Sequence, residues 1–293
     1  MKIVIFGGSG FLGSHLADRA SGSGHKVTIF DRMASAWRQP GQEMILGDIL
    51  DRPLVEKAVQ GAEAVYNFAG LADLEESAQA PLETINYNVL GNAYLLEAAH
   101  RAGAGRFIYA SSLYVNSDSG GFYRWGKAAA EQYIEEFQKS FGLNYTILRY
   151  GSLYGPRSDQ RNGIYRILKE ALETGRITYR GSRKAARQYI HVEDAAQASV
   201  DILSPQFINS RIVLTGQESM AVPDLFRMIE EILGRSLECR YLEQEPGVHY
   251  NLTPYSFRPS PAKTYSPLCQ TELGQGLLTL LADIYAELER PGQ

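Results

Sequence analysis

Short apolar runs alternate with stretches of helical period over the first 150 residues. The run Lys2-Ile3-Val4-Ile5-Phe6 stops abruptly at Gly7-Gly8-Ser9-Gly10-Phe11-Leu12-Gly13. Similar β-branched runs predict strands over 26–30, 43–46, 64–67, 106–110 and 145–149. Helices are predicted between them over 11–20, 51–59, 84–102 and 124–141. In 84–102 the residues Ile85, Val89, Ala93, Leu96 and Ala99 recur at helical spacing, which predicts one long helix. Such alternation is the pattern of a parallel sheet covered by helices on both faces. The fold class expected is α/β, a Rossmann-type doubly wound parallel sheet over 1–155. After Gly155-Pro156, glycine, arginine and tyrosine become frequent, and helices are predicted near 161–174, 193–203, 222–234 and 275–288. Residues 156–293 are expected to form a smaller substrate-binding lobe, with segments such as Gln188–Asp194 folding back toward the core.

A buried strand that feeds a glycine turn and then a helix is a physical recipe for holding a diphosphate. Glycines let the backbone come within contact distance of the phosphates, and the free N–H groups of the helix N-terminus face the charge. The second strand, Lys26-Val27-Thr28-Ile29-Phe30, ends in Asp31, which is 24 positions past Gly7. An acid at that distance accepts from a ribose 2′-hydroxyl and repels a 2′-phosphate, so the expected cofactor is NAD. Arg32 follows at once and is the residue that would receive a 2′-phosphate instead.

Composition changes this picture little. The 293 residues are 44% hydrophobic and 21% charged, as in a soluble globular protein with a real core. A net charge of −4 argues against nucleic-acid or anionic-membrane binding. Met1-Lys2-Ile3 enters a strand directly, and no apolar run approaches spanning length, so a cytoplasmic location is expected. Cys239 and Cys269 lack metal-ligand spacing and read as two unpaired thiols; no metal site is expected.

Tyr123-Arg124-Trp125-Gly126-Lys127 places a phenol and an ammonium one helical turn apart on one face. A free tyrosine titrates near pH 10, and a base working near neutrality must fall by roughly three units, about 4 kcal/mol in favour of the phenolate. A lysine and an oxidised nicotinamide, both positive, shift it that way. The preceding strand ends in Ser111-Ser112, at the sheet edge where ligands bind in such folds. Ser112 is placed to hydrogen-bond a substrate oxygen shared with Tyr123. The plainer alternatives are a surface Tyr/Lys pair and two serines that merely start a loop.

With these features in order, the chain resembles the extended short-chain dehydrogenase/reductase family, in its NAD-dependent nucleotide-sugar epimerase/dehydratase branch. Further stretches carry the resemblance. Gly47-Asp48-Ile49-Leu50-Asp51 is similar to the segment whose acid contacts adenine, and Tyr66-Asn67-Phe68-Ala69-Gly70 to the strand end along the cofactor. Asn88-Val89-Leu90-Gly91-Asn92 resembles the helix whose asparagine braces the central strands. Leu148-Arg149-Tyr150 through Tyr154-Gly155-Pro156-Arg157 resembles the sugar-nucleotide loop, and Arg187-Gln188-Tyr189-Ile190-His191 the segment whose arginine contacts the diphosphate. The resemblance implies catalytic Ser112, Tyr123 and Lys127. It implies cofactor contacts at Gly7, Gly10, Phe11, Leu12, Gly13, Asp31, Arg32, Asp48, Ile49, Phe68, Ala69, Gly70, Asn88, Tyr123, Lys127 and Tyr150. Substrate contacts are implied at Ser111, Ser112, Ser152 and Arg187, the substrate being a nucleotide sugar. It also implies a homodimer through the helices near 84–102 and 124–141.

Departures from the family pattern narrow the reaction. Dehydratases and decarboxylases of the family carry acids just after the catalytic hydroxyl residue; here Leu113 and Tyr114 stand there. Elimination is therefore disfavoured. The remaining chemistry is epimerisation, at C4, by transient oxidation to a keto sugar and return of the hydride. An NAD(P)-dependent reductase of a 4-keto-deoxysugar nucleotide is the first alternative, and a catalytically silent dinucleotide-binding regulator the second. The interval from Ser112 to Tyr123 is only 11 residues, Asn116 stands where a tyrosine is usual, and Ser152 replaces an asparagine. The run His249–Phe257 suits either a sugar grip or a buried patch. His15 is expected to pack internally, Trp125 to pack between helices or else to flank the active site, and His191 to lead into a helix start.

Overall fold

A computed structural model describes residues 1–242, 263–265 and 271–289. The run His249–Phe257 and Cys269 lie outside the described residues. The central strands are β1 (Lys2–Phe6), β2 (Lys26–Asp31), β3 (Glu43–Leu46), β4 (Ala64–Asn67), β5 (Arg106–Ser112) and β6 (Tyr145–Tyr150). Beyond them come β7 (Ser152–Tyr154), β8 (Arg176–Arg180), β9 (Ala186–His191), β10 (Ser210–Leu214), β11 (Ser219–Ala221), β12 (Glu238–Leu242) and β13 (Lys263–Thr264). The main sheet runs β13-β10-β6-β5-β4-β1-β2-β3, with every pairing parallel. β10 and β13 come from beyond residue 156, so the chain returns to the core after building its second half.

Ile3, Val4, Ile5 and Phe6 are all fully buried, because helices cover both faces of β1. The strand period of two divides the core. Val4, Phe6, Val65 and Phe107 face α2 (Arg52–Ala58), α5 (Gly91–Arg101) and α6 (Gly121–Phe141). Ile3, Ile5, Ala64 and Ile108 face α1 (Phe11–Gly22) and α8 (Val192–Asp201). A third core joins α7 (Gly163–Thr174), α9 (Val222–Leu233) and α10 (Leu273–Glu289) around Leu168, Phe226 and Leu280. The β11-β9-β7 and β12-β8 sheets complete that half.

The fold corrects two expectations. The single helix of 84–102 is instead α4 (Pro81–Ile85), a π-helical turn at Asn86–Leu90, and then α5; α3 (Leu74–Gln79) precedes them. A π turn inserts a residue into the helical ladder and leaves the apolar period almost unchanged, so periodicity alone does not reveal it. Trp125 is 62% exposed with the Arg124 guanidinium 4.5 Å over its ring, not packed between helices. The buried face of α6 is Tyr123, Gly126, Lys127, Ala130, Glu131 and Ile134, and Trp125 projects away from it. His15 is internal as expected, its Nε2 3.0 Å from the Pro156 carbonyl. Its burial pushes the imidazole down to about 4. His191, also buried, immediately precedes α8. No helix among the described residues is long and apolar enough to cross a membrane.

Candidate active site

Chain order in the sheet reverses at β1, which lies between β2 and β4, and the glycine turn occupies the crevice at its carboxyl end. Gly7 has φ +79° and donates its N–H to the Phe30 carbonyl at 2.9 Å. A Cβ on Gly7 would lie 2.6 Å from the backbone of Phe68 and Ala69. One on Gly13 would collide with the Gly7 carbonyl oxygen. Three stretches of backbone therefore meet with no room for side chains. Gly10 caps α1 without a side-chain acceptor, which leaves the N–H groups of the first turn, starting at Phe11 and Leu12, facing the crevice mouth. This cradle fits a dinucleotide diphosphate.

Asp31, at the end of β2, accepts from the Ser9 N–H at 3.0 Å and the Met33 N–H at 3.1 Å, which fixes its carboxylate at the rim of the turn. Arg32 is engaged elsewhere: its guanidinium stacks 4.8 Å over the Tyr87 ring and donates to the Tyr87 hydroxyl. That hydroxyl donates to Asp48 Oδ2 at 3.2 Å, while Asp48 Oδ1 accepts from the Leu50 N–H. The Ile49 side chain is taken up by the core against Gly91, so its backbone is what remains toward a ligand.

Asn88 departs from its expected cofactor contact. Its Oδ1 accepts from the Leu71 N–H and its Nδ2 donates to the Leu71 carbonyl, both at 2.9 Å. The side chain is 2% exposed and clamps the loop after β4; Gly70 is glycine because a Cβ there would strike Asn88 Oδ1. The π turn aims the amide at that loop. Tyr150 lies edge-on to Phe68, and its hydroxyl is 2.6 Å from Ser199 Oγ, within the core. Only its ring and backbone are left toward the cavity.

A cavity of about 630 Å³ opens beyond the carboxyl ends of β5 and β6. It brings together Ser112, Tyr123, Tyr150, Ser152 and Arg187. Ser112 Oγ accepts from the Tyr114 N–H at 3.3 Å, which leaves its own proton to be donated. Lys127, 5% exposed, donates from Nζ to the Ala110 carbonyl at 2.8 Å and lies 5.9 Å from the centre of the Tyr123 ring. Burial lowers its ammonium to about 8, against the opposing pull of Glu131. Arg187 is held on β9, where Nη1 donates to the Ala186 carbonyl.

Ser111 is not a wall of this cavity. Alternation along β5 turns it to the opposite face from Ser112, where Oγ donates to Glu131 Oε1 at 2.5 Å. Asn116, in the usual tyrosine position, accepts from Arg149 Nη1 at 3.3 Å. Other cavity residues escaped the sequence reading: Asp73, Tyr114, Arg161, Arg166 and Tyr179. Three had a local signal. Asp73 caps α3 by accepting from the Glu76 N–H, and Arg161 and Arg166 flank Asn162, which caps α7. The Tyr114 ring meets that of Tyr123 edge to face at 6.0 Å.

Comparison with known proteins agrees with this geometry. The NAD dependent epimerase/dehydratase family matches residues 3–212. A protein of Methanocaldococcus jannaschii, provisionally named UDP-glucose 4-epimerase, is 27% identical over 85% of this chain and 88% of its own. A UDP-N-acetyl-alpha-D-glucosaminuronate decarboxylase of Bacillus cytotoxicus is 28% identical over 74% of this chain and 75% of its own. Among solved structures, a UDP-glucuronic acid 4-epimerase variant of Bacillus cereus, in complex with a fluorinated UDP-sugar and NAD, superposes with TM-score 0.87. It is 24% identical and covers 98% of this chain and all of its own, a likeness of fold. The chain belongs to the NAD dependent epimerase/dehydratase family of nucleotide-sugar enzymes. Its cofactor is NAD.

Proposed function

We propose that this protein is a 4-epimerase of a nucleoside-diphosphate sugar, with Tyr123 as its base. The observation that carries the reading is that Tyr123, Ser112 and Arg187 line one cavity beside a diphosphate-shaped glycine cradle. The glycine turn and the first turn of α1 hold the cofactor diphosphate, and the Asp31 carboxylate accepts from a ribose hydroxyl. Bound NAD supplies the reversible hydride acceptor. Tyr123 takes the proton of the sugar hydroxyl, and Ser112 donates to the same oxygen as charge develops there. Lys127 contributes a buried positive charge that favours the phenolate. Arg187 and the backbone at Ser152 anchor the substrate diphosphate. Such anchoring at one end leaves the sugar free to turn over in the cavity between its oxidation and its reduction. Leu113 and Tyr114 bring no carboxylate after Ser112, which supports epimerisation over elimination.

The dinucleotide is assigned to 1–155, and 156–293 forms the smaller lobe that adds Arg187 to the substrate site. A homodimer is supported by Leu82, Ile85, Leu90, Trp125 and Tyr133, which are exposed on α4, the π turn and α6. Trp125→Asp in that face yields a monomer by light scattering; an unchanged mass removes the dimer proposal.

The test is a panel of UDP-, dTDP-, GDP- and CDP-sugars incubated in deuterated water, with products read by NMR. The expected result is a C4 epimer with no deuterium in the ring. A deoxysugar alcohol formed only with added reduced cofactor would support the reductase instead. No conversion of any sugar by a protein that binds NAD would favour the silent regulator.

A further inference from the structure

The helix that carries Tyr123 is joined to the strand that carries Ser112 by two consecutive rungs. Tyr123, Lys127 and Glu131 stand at successive turns on one face of α6. Lys127 Nζ donates to the Ala110 carbonyl at 2.8 Å, and Glu131 accepts from Ser111 Oγ at 2.5 Å. The next residue of the strand is Ser112. The second rung is buried and charged. Glu131 is 3% exposed, and Arg149 of β6 grips both its oxygens, with Nε at 3.0 Å and Nη2 at 2.6 Å. Arg149 also donates to Asn116, in the turn that follows Ser112.

We infer that Glu131, with Ser111 and Arg149, is the positioning device that sets Tyr123 against Ser112. Lys127 has a part of its own, reaching only the backbone of Ala110; the second rung grips a side chain of the strand, next to Ser112. The short interval from Ser112 to Tyr123 then needs no other brace, because Asn116 ties its start to the same arginine. The inference rests on the reading of Tyr123 and Ser112 as catalytic residues.

Glu131 also acts on Lys127 through space. Its carboxylate favours the ammonium against the burial that lowers it to about 8. The groups facing Lys127 are Glu131 and Tyr123 on α6 and Tyr109 on β5. Those facing Glu131 are Lys127 and Glu135 on α6, Ser111 and Tyr109 on β5, Arg149 and Tyr145 on β6, and Arg211 on β10. Removing the carboxylate while keeping the shape takes away the pull that favours the Lys127 ammonium and moves its loss of a proton to lower pH.

The experiment compares Ser111→Ala, Ser111→Thr and Glu131→Gln with the parent in the epimerase assay, with NAD binding and melting temperature recorded for each. Ser111→Ala removes one hydroxyl and no charge. It is expected to bind NAD normally and to lose about tenfold in kcat, with KM within about twofold, since small misplacements of reacting groups cost rate rather than binding. Ser111→Thr restores the hydroxyl and most of the rate. Glu131→Gln melts lower, and the alkaline limb of its kcat profile shifts to lower pH. Wild-type kcat in Ser111→Ala overturns the inference whether or not Glu131→Gln folds. So does an unmoved alkaline limb in folded Glu131→Gln. If Ser111→Ala is unimpaired while Tyr123→Phe is inactive, the proposed function stands and this inference alone falls; an active Tyr123→Phe removes both.

Discussion

A lysine sealed between α6 and β5 should leave a signature in stability as well as in catalysis. Desolvation lowers the Lys127 ammonium from its ordinary 10.5 to about 8, the pull of Glu131 offsetting only part of the effect. A fall of that size corresponds to about 3 kcal/mol of strain on the charged form. Because the folded-state value is the lower one, the cost is complete below about pH 8. It disappears as pH rises toward 10.5, where the unfolded chain also gives up its proton. Between pH 8 and 10.5 the unfolded state binds the additional proton, so stability rises with pH. Urea unfolding of the cofactor-free protein and of Lys127→Met reads this contribution, because the titrating groups that do not interact with Lys127 cancel in the difference. The parent is expected to gain about 2.5 kcal/mol relative to Lys127→Met between pH 7 and pH 10. Parallel stability curves for the two proteins would refute the burial argument. Lys127→Met should also lose on the order of 10²–10⁴-fold in turnover, the range of a disabled proton-transfer site.

Two further perturbations probe the scaffold. Asn88→Ala strips both partners from the buried Leu71 backbone and should cost about 2–4 kcal/mol by denaturant titration; a change below about 0.5 kcal/mol would show that the clamp is dispensable. Gly13→Ala forces a methyl group against the Gly7 carbonyl and should abolish NAD binding, read by fluorescence of the reduced cofactor, in a chain that still folds.

The sequence made the central strands legible because β-branched residues fill both faces of a buried parallel sheet, and runs such as Ile3–Phe6, which ends at a glycine turn, alternate with helical periods. The glycine turn was legible for a related reason: only backbone fits where Gly7 and Gly13 meet the end of β4. Side-chain direction was harder to read. Ser111 and Ser112 are the same residue type side by side, and their fates differ only through the pleat of β5, which sends one to Glu131 and the other to the cavity. The resemblance gave Asn88 both as a brace and as a cofactor contact; its amide is spent on the Leu71 backbone, in the loop after β4. The cavity residues contributed by the second half come from more than one element, Arg161 and Arg166 from around the start of α7 and Tyr179 from β8, and only the tertiary fold gathers them. Trp125, expected between helices, projects from the side of α6 away from the core, a direction that its place inside the Tyr-x-x-x-Lys turn does not reveal.

The central claim is that a phenol beside a buried ammonium, sharing one cavity with Ser112, removes the substrate proton. The direct measurement is turnover of Tyr123→Phe on whichever nucleotide sugar the parent epimerises, with cofactor binding measured in the same sample. The account predicts unaltered NAD binding and a loss of turnover of at least about a thousandfold. Turnover close to that of the parent in the phenylalanine variant would contradict it.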